Sequence, residues 1–374
     1  MPLTGLAIML RYVPSSVMYN GLLDALFGTR AARASCMNNS ARGQMAMNRR
    51  IYSVLAAKRV IDDGDMLLHR ALPADDRDAI GPFVFVDHYR VKTLRGIGDK
   101  PHPHAGIEII SYLLEGGMEH RDSMGFRDQL GPGDAQWIRA GSGILHAEQP
   151  SSGRHGLQLW TSLPPGQKFA RPAYASWRAA DFPHVKLLGA RVDVVAGTVA
   201  NAEGPMRLAT STTFAHARLE PGATIDLTVD ATAELGLYVL DGQLVSEDGS
   251  LLAPGSLALL TPGDRITLTA SARPTDFAII GGAPAERPIL FSGPFAMDSV
   301  EHLSRAKRDY ASGKMGRLDG VPFRDQGSAS RTFSPREMSA RPAEKKLYSQ
   351  NDTEFPKREP ELRPQRRPHP LLGA

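Results

Sequence analysis

The chain has almost no cysteine. Cys36 is the single one among 374 residues, so no disulfide can form within the chain. That usage fits a reducing compartment, and a cytoplasmic protein is expected. Long apolar runs are also missing. None approaches the ~20 residues that a membrane-spanning helix needs, so no membrane association is expected. A basic folded body is absent too. Residues 1–50 carry six Arg against Asp24, and residues 311–374 carry thirteen Lys or Arg against eight acids. Each end is therefore +5 in a chain of formal charge +4, which leaves −6 on residues 51–310. An acidic body with basic ends does not suit direct nucleic-acid binding, which calls for basic residues on the folded part.

The two ends read as extensions. Residues 1–46 are rich in Ala, Ser, Arg and Met and nearly free of acids, a composition that resembles an organelle transit peptide. Met45 and Met47 stand just before the first strong strand pattern and offer an alternative start. Residues 20–30 have the pattern of a short amphipathic helix, marginal on its own. Residues 1–48 are left out of the fold on either reading. From about Gly316 the chain is rich in Pro, Arg, Ser and Glu with few large apolar residues, and 313–374 is expected to be a disordered basic tail.

Between the ends, short apolar runs recur about every ten residues, punctuated by Gly and Pro, the pattern of an all-β barrel or sandwich. IYSVLAAKRVIDDGDMLLHR (51–70) reads as strand, Asp-Gly turn, strand. IEIISYLL (107–114) reads as a strand, Glu115-Gly116-Gly117 as a tight turn, and MEHRDS (118–123) as the return. The pattern then repeats. YVLDGQL (238–244) matches YLLEGGM (112–118), and TPGDRITLTA (261–270) matches GPGDAQWIRA (131–140). Two β-barrels in tandem are expected, over 49–178 and 179–312. A closing helix starts at Asp298 or Ser299 and ends near Tyr310.

The chemistry concentrates in 98–150. His102-Pro-His104 and His146-Ala-Glu148 are both spaced i, i+2, which puts each pair on one face of a strand. Two such strands can present four donors to one interior. Three imidazoles and a carboxylate suit a borderline divalent ion, Fe(II) foremost, with Mn, Ni, Cu and Zn also compatible. A single His is more often a satisfied core residue. Two such pairs, each beside a β-turn signal, favour the metal. Glu108 reads as a hydrogen-bond partner near the site. His120 and Asp122 should face solvent or a strand neighbour, and His88 should be structural. His69, His155, His184 and His216 suggest no role, and Trp137 and Trp160 read as core. The second copy has no His between His216 and His302. Counted from the matched turns, its ligand places fall near Thr228, Asp230, Asp276 and Ala278, so it should hold no metal.

PHPHAGIEIISYLLEGGMEHRDSMG, LGPGDAQWIRAGSGILHAE and ILFSGPFAMDS together resemble the pirin family of the cupin superfamily, over roughly 50–315. The resemblance implies a bicupin with one metal site, its ligands falling on His102, His104, His146 and Glu148, and usually Fe(II). Many members carry a basic residue where this chain has Ala105. The implied activity is a quercetin 2,3-dioxygenase-like oxidoreductase that cleaves a flavonol with O2, Glu148 serving as ligand and as base for the substrate hydroxyl. The alternative from the same family is a non-catalytic, redox-sensitive iron protein that regulates a protein partner. A storage or structural cupin without metal is a third reading.

Overall fold

In the computed structural model, residues 46–94 and 98–318 can be described. The 20–30 segment, the transit-peptide-like composition and the basic tail beyond 318 lie outside them. Strands dominate, as the punctuation of the sequence requires, and they form two tandem β-barrels. A nine-stranded sheet builds the first barrel: seven strands run in the order Ala173–Trp177, Ala135–Arg139, Ile107–Asp122, Ile144–Ser162, Phe83–Val91, Met66–Leu72, Lys58–Asp62, while His102–His104 pairs off this path with Ile144–Ser162 and Arg127–Leu130 with Ile107–Asp122. A seven-stranded and a four-stranded sheet build the second.

Glu115-Gly116-Gly117 is not a turn. Ile107–Asp122 is one continuous strand, paired with the still longer Ile144–Ser162. The ladder slips twice, between Leu113 and Glu115 and between Gly116 and Met118. These bulges bend both strands together, so one pair can run through both walls of the barrel. Gly116 permits this at φ +78°, where a Cβ would lie 2.2 Å from the Gly153 carbonyl oxygen. A sequence run of Gly-Gly suits a bulge as well as a turn, and the long complementary strand decides between them.

The duplication is real at the level of hydrogen bonds. Gly133 N donates to Leu113 O, and Gly255 N donates to Val239 O at the matched place. Asp134 N to Gly131 O has its counterpart in Ser256 N to Ala253 O. These pairs also correct the alignment of the two copies. The turn at 131–134 corresponds to 253–256, and 140–143 corresponds to 262–265. The two barrels meet through one shared core that includes Phe83, Ile110 and Leu159 on one side and Phe214, Leu257 and Ile280 on the other. Two reciprocal contacts cross it: Tyr112 OH meets His216 Nδ1 at 3.2 Å, and Tyr238 OH meets His88 Nδ1 at 3.4 Å. His216 and His88 thus act at the interface, and His88 also meets His155, Nε2 to Nε2, at 2.8 Å.

Neither expected domain boundary is respected by the chain ends. Ile51–Ala56 pairs with Ser256–Leu260 and is an edge strand of the second barrel. Arg49 anchors that strand, its guanidinium donating to the carbonyls of Thr261, Gly263, Asp230 and Ala233. Helix Val300–Ala311, capped by Ser299, returns to the first barrel rather than closing the second. Its Leu303 and Ala306 pack with Phe295, Met297, Phe169 and Ala105. Ala105 is therefore buried beneath the returning chain. Leu303 and Ala306 of the helix's apolar stripe are covered there, while Val300 stays exposed.

Lys168 fastens the return. Its buried ammonium donates to Gly106 O, Ala296 O and Ser162 Oγ at 3.0, 3.0 and 2.8 Å. Three N–H donors thus meet three acceptors from three segments. Lys168→Met keeps the volume but removes the ammonium donor from Ala296 O and Ser162 Oγ, while Gly106 O still accepts from Leu163 N. Urea unfolding should show a loss of about 1–3 kcal/mol; an unchanged midpoint would contradict this role.

Candidate metal centre

His102–His104 is a strand of three residues that pairs antiparallel with the start of Ile144–Ser162. The register sets His102 opposite His146 and His104 opposite Ile144. Ring centroids of His102, His104 and His146 lie 4.3 to 5.0 Å apart. One ligand atom from each lies within 4.8 Å of the others, close enough to hold one ion. His102 Nδ1 is fixed by Lys100 O at 2.9 Å and His104 Nδ1 by Pro294 O at 3.3 Å. A Nδ1–H donated to a carbonyl leaves the Nε2 lone pair free for a ligand.

His146 is fully buried, and neither ring nitrogen has a hydrogen-bond partner. Burial holds its pKa, and that of His104, well below the ordinary imidazole value, with neighbouring imidazoles adding to the effect. Burial lowers His102 as well. All three are thus neutral near pH 7, the form that can ligate. A buried, unpartnered imidazole beside two others with preset tautomers fits a borderline divalent ion.

Glu148 is buried and tightly held. Oε1 accepts from Gln136 Nε2 at 2.7 Å and from Ser111 Oγ at 3.3 Å, while Oε2 accepts from Arg154 Nη1 at 2.9 Å. Oε2 keeps acceptor capacity. Glu148 falls with His146 in a second donor group, whose third member is His120. His120 and Asp122 do not face solvent: both are buried, with His120 Nε2 3.3 Å from Asp122 Oδ2. The bulges at 113–118 reset the alternation of the strand and turn these two inward. His120 stacks on Tyr174 at 4.5 Å.

Glu108 lies elsewhere. It accepts from Trp137 Nε1 at 3.0 Å and from Ala209 N at 3.0 Å, and so ties the first barrel to the second. Burial raises its pKa. Trp160 is not only core; its ring meets the His104 edge at 4.9 Å and stacks on Phe85 at 4.1 Å. Gln136, Ser111, Arg154 and Tyr174 escaped sequence reasoning. Their residue types are common and their convergence depends on register. The i, i+2 pair His120/Asp122 was the one readable signal.

With the copies realigned, the strand pairings place Ile225 and Leu227 opposite Leu268 and Ile266, and Leu244 opposite Ala270. Ile225, Leu227, Leu268, Ala270 and Leu244 thus stand where the first barrel has His102, His104, His146, Glu148 and His120. All five are buried in one apolar cluster. Thr228, Asp230, Asp276 and Ala278 are not the matching places, yet the second barrel still lacks the donors.

Two tandem barrels, one with a polar donor-lined interior and one with an apolar interior, define a bicupin. The comparisons agree. The model of the family described as Pirin matches residues 66–161, and that of the Pirin C-terminal cupin domain matches 214–316. Pirin-like protein 2 of Arabidopsis thaliana is 30% identical over 303 residues, covering 79% of this chain and 94% of that protein. Pirin of Homo sapiens is 32% identical over 256 residues, covering 67% and 88%. A crystal structure of quercetin 2,3-dioxygenase from Acinetobacter baumannii is 28% identical, with a TM-score of 0.66, over 72% of this chain and 99% of that one. The chain belongs to the pirin family.

The buried imidazoles carry a pH signature. His88 is pushed down to about 3, chiefly by burial and then by His155, and His104 and His146 are also lowered. Unfolded, each takes a proton near pH 6.5. Between the lowered folded values and about 6.5 the unfolded chain binds more protons, so stability falls as pH falls. Metal-free protein should show a thermal midpoint that drops steadily below about pH 6.5. A flat profile down to pH ~4.5 would contradict the neutral buried state.

Proposed function

We propose that this protein is a pirin-type metal-dependent dioxygenase that cleaves a flavonol such as quercetin with O2. Fe(II) would be held by His102, His104, His146 and Glu148. The observation that carries this reading is His146, buried with both nitrogens unpartnered between two imidazoles of fixed tautomer. The likeness to a quercetin 2,3-dioxygenase structure supports a small-molecule substrate and O2. A bound divalent ion supplies Lewis acidity and a common point of approach for substrate oxygens and O2.

The residues of the chain do the rest. Lys100 and Pro294 carbonyls hold the His102 and His104 rings. Gln136 and Ser111 fix Glu148 through Oε1 and Arg154 through Oε2, and the remaining acceptor capacity of Oε2 could take the proton of a substrate hydroxyl. The apolar wall of Ile107, Ile109, Ile138 and Ile144 keeps water from the barrel interior.

Metal-stripped protein reloaded anaerobically with Fe(II) should bind about one ion per chain and consume quercetin when O2 is admitted. His104→Ala should lose both. No flavonol loss by the loaded protein, with no difference from the variant, would sink the proposal; a panel of flavonols and catechols would then sort related substrates. Gln136→Leu, which leaves Glu148 with less support, should weaken Fe(II) binding about 10–100-fold. Equilibrium dialysis checks this, and unchanged affinity would count against Glu148 as a ligand.

A further inference from the structure

Arg154 shares the inward face of its strand with His146 and Glu148 before it and with Gln158 and Trp160 after it. Gly116 stands opposite Arg154 and Met118 opposite Pro150, so residues 151–153 face Gly117 alone and are looped out of the ladder. The surplus is two residues, so the alternation is kept and Arg154 stays on the face of Glu148. The Arg154 and Glu148 side chains are 2% and 3% exposed, with Nη1 2.9 Å from Oε2. The guanidinium lies over the buried Tyr89 ring at 4.5 Å and also touches Met118 Sδ. This is a permanent positive charge in a dry interior, fixed by contacts on several sides. Burying such a charge is expensive unless it is paired, and Glu148 is its partner.

We infer that Arg154 is a positioning residue that sets which oxidation state the metal centre prefers. The inference rests on the metal reading above, not on the flavonol. An ion bound through Glu148 shares that carboxylate with Arg154. The guanidinium offsets the carboxylate charge and repels the ion in proportion to the ion's own charge. A trivalent ion is therefore penalised more than a divalent one, and the low dielectric of the interior enlarges the difference. Arg154 holds Glu148 in place and keeps the centre divalent.

The test is a redox titration of iron-loaded protein, with mediators and the high-spin Fe(III) EPR signal as the readout. Arg154→Gln should lower the Fe(III)/Fe(II) midpoint by about 59 mV or more, a tenfold or greater gain in the ratio of Fe(III) to Fe(II) binding. Arg154→Lys keeps the charge and should stay near the wild-type midpoint. Arg154→Met, produced with Zn(II) present and then exchanged, covers a glutamine variant that does not fold, and should shift the same way. An unmoved midpoint in the neutral variants overturns the inference, as does a lysine variant shifted as far as the glutamine one. Failure of both neutral variants to fold while the lysine variant folds would make Arg154 a structural residue, and overturns it too. Iron content is measured first. Wild type without stoichiometric iron, or iron retained by His104→Ala, would count against the metal site itself; stoichiometric iron with an unmoved midpoint would count against Arg154 alone.

Discussion

The first barrel depends on a cost left unpaid by protein alone: His146 is sealed inside it with neither ring nitrogen hydrogen-bonded. An unsatisfied buried polar atom costs about 1–3 kcal/mol. The surrounding structure is arranged so that this cost persists. His102 and His104 could have turned to satisfy His146, but backbone carbonyls hold them by Nδ1. Glu148 could have accepted from it, yet Oε1 stands 3.6 Å from His146 Nδ1 and is already taken by Gln136 and Ser111. Each alternative partner is withheld, and the donor set stays ready for a cation.

The second barrel shows what the same framework becomes without that constraint. Its strands pair in the same register, and its matched turns close with the same hydrogen bonds. With Ile225, Leu227, Leu244, Leu268 and Ala270 at the five donor places, its interior is a filled apolar core. Such a core contributes the burial free energy that a polar interior forgoes. The interface follows from this division. Each barrel sends a tyrosine hydroxyl to a histidine of the other, and one apolar cluster spans both. The stable barrel thereby supports the barrel that carries the frustrated site.

Much of this was legible in the sequence because it is local. Strand periodicity, the 112–118 and 238–244 repeat, the Ser299 cap and the two i, i+2 pairs are read within a few residues. What was not legible depends on register. Glu115-Gly116-Gly117 has the composition of a turn and is a bulge, since only the length of the partner strand tells them apart. That slip turned His120 and Asp122 inward against the expectation of exposure. The PGD motif occurs in both copies but at turns that do not correspond, and a match on identity alone misplaced the second set of positions by one strand. Arg154 has the parity of His146 and Glu148, but its meeting with Glu148 across the looped-out 151–153 depends on the ladder and not on the local pattern.

The ends of the chain raise a last point about what constitutes the site. The four expected ligands all lie between 102 and 148, which suggests that the first barrel is self-sufficient. It is not. The carbonyl that sets the His104 tautomer belongs to Pro294, and one of the three acceptors of Lys168 belongs to Ala296. Gly106, two residues past His104, has no room for a Cβ because Ala296 O would lie 2.1 Å from it. The hairpin Leu290–Ser292 and Phe295–Met297 is thus packed directly on the ligand strand, and helix Val300–Ala311 holds the hairpin down. The polypeptide must pass through the whole second barrel before these groups arrive. The donor arrangement of the first barrel is therefore completed only when the second has formed and delivered the segment that follows it, which gives the apolar copy a part in the chemistry without a single donor of its own.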